Sequence, residues 1–169
     1  ALADQMRARR QLRRHETAKR KSRRDRRANK KPTVDIGAAA AVAGDVRMCR
    51  NGECVELSSG KSIFANATIR TGKTGRIQIL FTDETVVSVG PDTEIVLDEY
   101  VYDPFTKSGT LDTRVNKGTF RLVSGKVARN RPSAMKVKLP TGAIGIRGTD
   151  FVVRLSPAKR TLVIDLLDG

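Results

Sequence analysis

The chain has 169 residues, with 33 Lys and Arg against 18 Asp and Glu, so its formal net charge is +15. This length fits one domain, or one domain with an extension. No run of about 18 or more apolar residues occurs, so we expect no membrane-spanning helix in it. Trp is absent and only five Phe and two Tyr occur, which excludes a broad aromatic surface for stacking single-stranded nucleic acid.

The positive charge is concentrated in the first 31 residues, which carry 14 Lys and Arg against 3 Asp and Glu, a net +11. The remainder is close to neutral, with a net charge of +4. We therefore divide the chain into a basic arm, residues 1–32, and a domain, residues 33–169. Only Leu2, Met6 and Leu12 of the arm are large and apolar, too few to form a helix stripe that packs on a core. We expect the arm to be disordered alone, or to become helical on an anionic partner.

The basic arm predicts docking onto an acidic surface or polyanion: lipid head groups, an acidic polymer or an acidic protein. The residues expected to make these contacts are Arg7, Arg9, Arg10, Arg13, Arg14, Lys19, Arg20, Lys21, Arg23, Arg24, Arg26, Arg27, Lys30 and Lys31. Nucleic acid is the weaker hypothesis, because no zinc-ligand set, heptad repeat or glycine-aromatic RNA-binding signature accompanies the arm.

From residue 34 onward the sequence has the pattern of short β-strands. Runs rich in Val, Ile, Leu and Thr recur roughly every 9 to 13 residues, separated by Gly, Asp, Pro or Ser. After a small-residue strand in 34–44, the predicted strands are 62–71, 75–82, 84–89, 93–102, 109–115, 118–123, 135–139, 143–146, 151–155 and 161–167. Apolar and polar residues alternate within them, which indicates one buried and one exposed face. These patterns predict an all-β domain.

Sandwich, barrel and solenoid folds share this rhythm of strands. Glycines stand beside the strands at Gly72, Gly90 and Gly145, which indicates tight corners that repeat along the chain. The repeated corners favour a β-solenoid-like or rolled sheet of short antiparallel strands over a sandwich.

The two cysteines flank a hairpin turn signal. Asn51-Gly52 lies midway between Cys49 and Cys54, and Asn-Gly is the strongest short hairpin signal. If this pair forms the turn, Arg50 and Glu53 close it, and the cysteines face each other at a non-hydrogen-bonded position with Cα atoms about 4.5 Å apart. A disulfide can span that distance, so we predict a cross-strand disulfide and an oxidising compartment. The alternatives are two free buried thiols or half of a metal site.

No catalytic constellation is recognisable. The single histidine, His15, lies in the basic arm, so a Ser-His-Asp or Cys-His arrangement has no base within the domain. The glycines Gly72 and Gly75 lack the frame of a phosphate-binding loop. The adjacent carboxylates Asp98 and Glu99 point to opposite faces of a strand. We therefore expect no enzyme activity, no cofactor, no metal and no small-molecule substrate.

A series of short motifs runs through the domain. They are Ala43-Gly44-Asp45-Val46, Leu57-Ser58-Ser59-Gly60, Ile69-Arg70-Thr71-Gly72, Phe81-Thr82-Asp83, Gly90-Pro91-Asp92-Thr93 and Gly145-Ile146-Arg147-Gly148-Thr149-Asp150-Phe151. In this order they resemble the FecR domain family, the periplasmic module named after the ferric-citrate regulator. The resemblance covers residues 34–169, and its last motif is the most specific. One departure is Glu84, which stands where the family usually has Gly.

The last motif is open to a structural or a catalytic interpretation, and the structural one is favoured. Its glycines allow close approach of the backbone, while Arg147 and Asp150 can pair with each other or hold a neighbouring loop. The residues to which we assign a structural role are Gly145, Arg147, Gly148, Thr149, Asp150 and Phe151.

The resemblance implies an all-β, solenoid-like domain that is periplasmic or otherwise exported in the bacterial cell envelope. Signalling members carry a signal from an outer-membrane receptor to a sigma factor, behind a cytoplasmic segment and a membrane helix that we do not find here. Free-standing members are similar to exported binding or scaffold modules. We therefore expect a non-enzymatic envelope protein whose partners are other proteins or copies of itself, as a scaffold subunit of a large periplasmic assembly such as a flagellar motor or secretion apparatus. The alternatives are a polyanion- or nucleic-acid-binding protein that acts through the arm, and a signalling adaptor related to the FecR-type sigma regulators.

Overall fold

The computed structural model describes residues 34–148, 150–156, 158–159 and 161–168. The basic arm lies outside the described residues, so its conformation, its contacts and the boundary at residues 32 and 33 remain predictions. In the part of the chain that is described, no helix is both long enough and apolar enough to cross a membrane.

Strands make up about two thirds of the described residues and the rest is mostly turns, which confirms the all-β prediction. The strands are β1 (Asp35–Ala43), β2 (Val46–Arg50), β3 (Glu53–Glu56), β4 (Ser62–Phe64), β5 (Ala67–Thr71), β6 (Arg76–Phe81), β7 (Val86–Val89), β8 (Glu94–Asp103), β9 (Ser108–Val123), β10 (Met135–Leu139), β11 (Gly142–Gly145), β12 (Asp150–Ser156) and β13 (Thr161–Asp168). One short helix, α1 (Lys126–Asn130), and a 3₁₀ turn (Pro132–Ala134) lie between β9 and β10.

The strands form one curled sheet with two halves that share β9. The first half has the order β4-β1-β6-β7-β9-β12-β13. The second has the order β3-β2-β5-β8-β9-β10-β11. Residues 118–123 of β9 pair with β12 in the first half, and residues 108–117 pair with β8 in the second. The sheet is therefore rolled, as the sequence predicts.

The chain passes between the halves at glycine corners that are hydrogen-bonded to one another. The Gly72 N–H donates to the Asp45 carbonyl at 2.8 Å, and the Asp92 N–H donates to the Gly72 carbonyl at 3.1 Å. The Gly90 N–H donates to the Thr119 carbonyl at 2.8 Å. These contacts confirm the predicted corners at Gly72 and Gly90, and they stack successive corners against each other.

Gly118 allows β9 to bend from one half into the other. Its φ is +103°, a conformation that residues with a side chain rarely adopt. A Cβ there would lie 2.1 Å from Thr93 Oγ1, whose hydroxyl accepts from the Thr119 N–H at 2.9 Å. Gly145 differs from the corner glycines, because it ends β11 and a Cβ there would meet no atom within 4 Å.

Three details of the strand prediction are corrected. The predicted strand 62–71 is two strands, because the chain turns at Asn66, which has a φ of +59°. The predicted strands 109–115 and 118–123 are the single strand β9, because the bend at Gly118 does not interrupt pairing. The β9–β10 pair is parallel, whereas every other pair in the described sheet is antiparallel. Each difference arises from a turn or a pairing that local alternation does not specify.

The inward residues of both halves form one apolar core. Phe120 on β9 and Phe151 on β12 are almost fully buried, and their rings meet edge to face with centroids 6.1 Å apart. Val127 and Ala128 of α1 are fully buried as well. With five residues, α1 is too short to produce a helical period in the sequence, which is why the strand pattern did not reveal it.

The predicted disulfide is confirmed. Cys49 and Cys54 face each other in the β2–β3 register, next to the Arg50–Glu53 pair, and their Cα atoms are 4.0 Å apart. The turn Asn51-Gly52 has positive φ at both residues, +52° and +82°, as a two-residue type I′ hairpin requires. The disulfide replaces the alternatives of free thiols or half of a metal site.

Candidate interaction surface

Asp83, in the fourth sequence motif, organises the turn between β6 and β7. Its side chain is fully buried and accepts hydrogen bonds from Thr85 Oγ1 at 2.7 Å, the Thr85 N–H at 3.1 Å and the Val127 N–H at 3.3 Å. The Asp83 carbonyl also accepts from the Lys126 N–H at 2.8 Å. A buried carboxylate is tolerated when its oxygens are hydrogen-bonded in this way. Asp83 therefore fastens the first residues of α1 to the sheet.

Tyr100 fastens β8 to the same turn. Its hydroxyl lies 2.6 Å from Thr82 Oγ1 and accepts from the Asp83 N–H at 2.9 Å, while its ring stacks on Phe81. Burial raises the pKa of Tyr100 to about 12, and the neighbouring Asp83 carboxylate also favours the neutral phenol. The hydroxyl is thus held in its protonated form as part of the packing.

Glu84 adopts the conformation that a glycine would provide. Its φ is +69°, which accounts for the usual Gly of the resembled family at this position. Its carboxylate forms an ion pair with Lys126 Nζ. The hydrogen bond from Lys126 holds the pKa of Glu84 below its usual range, and the charges of Lys126, Arg129 and Lys107 act in the same direction. Glu84 is therefore paired with Lys126 and lies within the electrostatic influence of two further cations.

The last motif splits into a buried and an exposed part. Asp150 pairs with Arg121 rather than Arg147. Arg121 Nε lies 2.9 Å from Asp150 Oδ1, and Arg121 Nη2 lies 2.5 Å from Asp150 Oδ2. The hydrogen bond from Arg121 lowers the pKa of Asp150. Phe151 packs in the core. Asp150 is thus tied to β9 and Phe151 to the core.

The exposed part of the last motif is a loop beside α1. Arg147 and Gly148 are exposed, and Gly148 has a φ of +77°. A Cβ built on Gly148 would lie 3.9 Å from Arg129 Cγ. Thr149 lies outside the described residues, so its predicted role is untested. The loop therefore places Arg147 next to the basic end of α1.

The hairpin between β8 and β9 presents an aromatic side chain to solvent. Phe105 is 94% exposed. Asp103 holds the turn, since Oδ1 accepts from the Phe105 N–H at 2.9 Å and Oδ2 accepts from Thr106 Oγ1 at 2.8 Å. Asn130 Nδ2 donates to the Lys107 carbonyl at 2.7 Å, which joins the hairpin to α1.

The sequence analysis missed this region, although the Asp-Pro-Phe-Thr-Lys turn was its signal. We use the name tip surface for five residues that these contacts bring into one region: Phe105, Lys107, Lys126, Arg129 and Arg147. Two acidic side chains bind residues of the tip surface, against four cations: Asp103 accepts from the Phe105 N–H, and Glu84 pairs with Lys126. The tip surface is therefore basic, with one projecting apolar side chain.

The edge strand β13 is a second exposed feature. Leu162, Ile164 and Leu166 are in register with the buried row of β12, yet they are 37%, 43% and 72% exposed. Val163 and Leu167 on the opposite face are exposed too. In the described sheet β13 pairs only with β12. Its outer edge and both apolar faces are thus accessible.

The outer faces of the two halves carry a groove and several ion pairs. An open groove of about 530 Å³ runs over the first half, where Ala41, Ser88 and Val152 are among its lining residues. Cross-strand ion pairs lie on both halves. They are Arg121–Asp150 and Arg154–Asp165 on the first, and Arg70–Glu94, Arg114–Asp98 and Lys138–Asp112 on the second. Exposed pairs of this kind contribute little to stability, so they mainly keep the outer faces hydrated.

Comparison with known proteins identifies the domain. The family model described as FecR protein matches residues 67–169, so β1 to β4 precede the matched region although they pair within the same sheet. A solved structure described as a cell surface anchoring domain is 34% identical, with a TM-score of 0.35, over 36% of this chain and 82% of that chain. No curated protein matches the chain significantly.

Proposed function

Because the chain belongs to the FecR family, we propose that it is a non-enzymatic protein-interaction module of the bacterial cell envelope. The Cys49–Cys54 disulfide supports export, since such bonds persist in oxidising compartments such as the periplasm. The family is one of regulatory rather than catalytic domains, which supports an interaction role over an enzymatic one.

Strand β13 is the observation that carries the interaction role. Its unpaired edge offers backbone N–H and C=O groups to another strand, and exposed Leu162, Ile164 and Leu166 extend the apolar row of β12. An edge strand with these properties is a template for strand addition. The occupant that fits is an extended segment of a partner protein with apolar residues at alternate positions, because those residues would cover the exposed row.

Site-specific crosslinking tests this role. A photo-reactive residue at Leu166, 72% exposed on β13, is compared with one at Val55, 55% exposed on β3, an edge strand of the second half. In intact cells we expect a discrete crosslinked protein from position 166 that is absent from position 55. Adding Ile164→Pro should abolish that crosslink, because proline removes an N–H and disturbs the strand. Equal products from both positions, or none from position 166, would contradict the proposal.

We propose more specifically that the protein is a scaffold subunit of a large periplasmic assembly, such as a flagellar motor or secretion apparatus. In this proposal the basic arm docks onto an acidic partner. The net charge of +11 in residues 1–31 supports this role for the arm. Co-isolation with envelope assemblies should be lost when residues 1–31 are deleted and retained when their order is scrambled, since charge and not sequence drives docking. Retention after deletion would contradict docking by the arm.

The charge of the arm also supports a second candidate, binding of a nucleic acid or another polyanion. Counterion release makes such binding weaken steeply with salt. We expect DNA affinity to fall with salt and to disappear when residues 1–31 are deleted. A salt dependence that is unchanged by the deletion would exclude this candidate.

A further inference from the structure

We propose that the tip surface binds an anionic lipid surface, with Phe105 inserted among the acyl chains and Lys107, Lys126, Arg129 and Arg147 at the level of the head groups. This inference does not depend on β13 or on the basic arm. It assigns a membrane-facing side to the domain.

The first observation is that Phe105 projects from a turn whose backbone is held by hydrogen bonds. It is the most exposed large apolar side chain described, at 94%. Both oxygens of Asp103 bind the turn, and Thr106 and Ser108 are joined through their hydroxyls at 2.7 Å. Because the turn is already ordered, insertion of the ring costs little further conformational entropy.

The second observation is the position of the cations. Lys107 follows Phe105 by two residues and its carbonyl binds Asn130 of α1. Lys126, Arg129 and Lys107 all act on the carboxylate of Glu84. Arg147 precedes Gly148, next to which the Arg129 side chain passes. The cations therefore belong to three segments that meet beside the aromatic tip.

The third observation is that the four cations outnumber the two carboxylates bound within this region, those of Asp103 and Glu84. The Asp103 carboxylate is turned into the hairpin by its hydrogen bonds, and Glu84 is paired with Lys126. The remaining cations of the tip surface can meet anionic head groups, and each basic residue near such a surface strengthens binding about fivefold.

A lipid surface fits these observations better than a pocket on an acidic protein. Among the exposed large apolar side chains described, only Val101 shares the hairpin with Phe105, which is too few for the rim of neighbours that surrounds a protein hot spot. A lipid interface needs no preformed pocket and accommodates one aromatic ring with basic residues around it. The cations also lie on separate segments, an arrangement that matches a field of mobile head groups.

The natural absence of Trp allows a direct test. In the full chain, Phe105→Trp supplies a single fluorescent reporter. With vesicles of phosphatidylcholine and phosphatidylglycerol we expect its emission to shift to the blue, and brominated acyl chains to quench it. The control is Val55→Trp in the same full chain, which should remain in water even if the basic arm recruits the protein to the vesicle. An unshifted emission at position 105, or an equal shift at both positions, would overturn the proposal.

Charge variants separate insertion at the tip surface from recruitment by the arm. In the Phe105→Trp background, Lys107→Gln, Arg129→Gln and Arg147→Gln together should weaken vesicle binding at position 105 by about a hundredfold. The matched control changes three exposed cations elsewhere, Lys61→Gln, Lys73→Gln and Arg76→Gln, and should alter the fluorescence response at position 105 far less.

Two further outcomes of these experiments would overturn the lipid proposal. Equal losses in the two triple variants would attribute binding to net charge alone. A response to poly-glutamate but not to vesicles would make an acidic protein the partner. Failure of crosslinking at Leu166 leaves all of these readouts unaffected, so the two proposals fail separately.

Discussion

The Tyr100 hydroxyl accepts a hydrogen bond from the Asp83 N–H at 2.9 Å, which joins β8 in the second half of the sheet to the turn after β6 in the first. Asp83 in turn binds the start of α1 through the Val127 N–H. The buried pair of Tyr100 and Asp83 therefore positions the turn after β6 and the start of α1. Through α1 it also positions the basic residues of the tip surface.

Tyr100 should ionise only at strongly alkaline pH. In a Tyr102→Phe background, Tyr100 is the sole tyrosine, and we expect phenolate absorbance to appear around its pKa of about 12. The pKa of Tyr100 is raised from 10.0 in the folded protein, so the protonated phenol stabilises the fold. This contribution to the free energy of unfolding is fully present below pH 10 and is lost as the pH rises from 10 to about 12. Urea denaturation measured at several pH values in this range should show the free energy of unfolding falling as the pH rises. A phenolate transition centred at pH 10 in the folded protein would contradict it.

Asp83→Ala should lower the free energy of unfolding by about 3 kcal/mol, because it leaves buried donors of Thr85 and Val127 without their acceptor. Urea denaturation measures the change. Glu56→Ala, at an exposed position at the end of β3, is the matched control and should change stability by less than about 0.5 kcal/mol. Similar losses in the two variants would show that the buried carboxylate has no special structural role.

Gly118→Ala should destabilise the fold by about 3 kcal/mol, since the positive φ and the approach to Thr93 Oγ1 both oppose a methyl group. Gly145→Ala, with no atom within 4 Å of the new Cβ, serves as the control. Thermal or urea unfolding of both variants tests the difference. If Gly118→Ala were as stable as Gly145→Ala, the bend of β9 would not require glycine.

Loss of the disulfide should cost about 2 kcal/mol, the value expected for a short closed loop. The double variant Cys49→Ser with Cys54→Ser tests this by urea denaturation against the oxidised protein. In protein taken from cells under acid quench, both cysteines should resist alkylation until a reductant is added. Free alkylation without reductant would remove the physical support for export.

Local features made much of the fold predictable. Alternation identified most strands to within a few residues, and the Asn51-Gly52 turn determined the register that places Cys49 opposite Cys54. The glycine corners at Gly72 and Gly90 were likewise visible. These features depend on neighbouring residues, so the sequence order contains them directly.

The net charge of +15 and the six motifs were determined by the sequence alone, and with them the basic arm, the all-β class and the family. The tertiary structure decided that Asp150 pairs with Arg121, 29 residues away, and that Asp83 binds α1, 44 residues away. It also decided that β9 serves both halves of the sheet, that β13 is an exposed apolar edge and that Phe105 stands among cations from separate segments. The physical reason is distance along the chain: periodicity reports which face of a strand is buried, whereas long-range pairing decides which side chains meet.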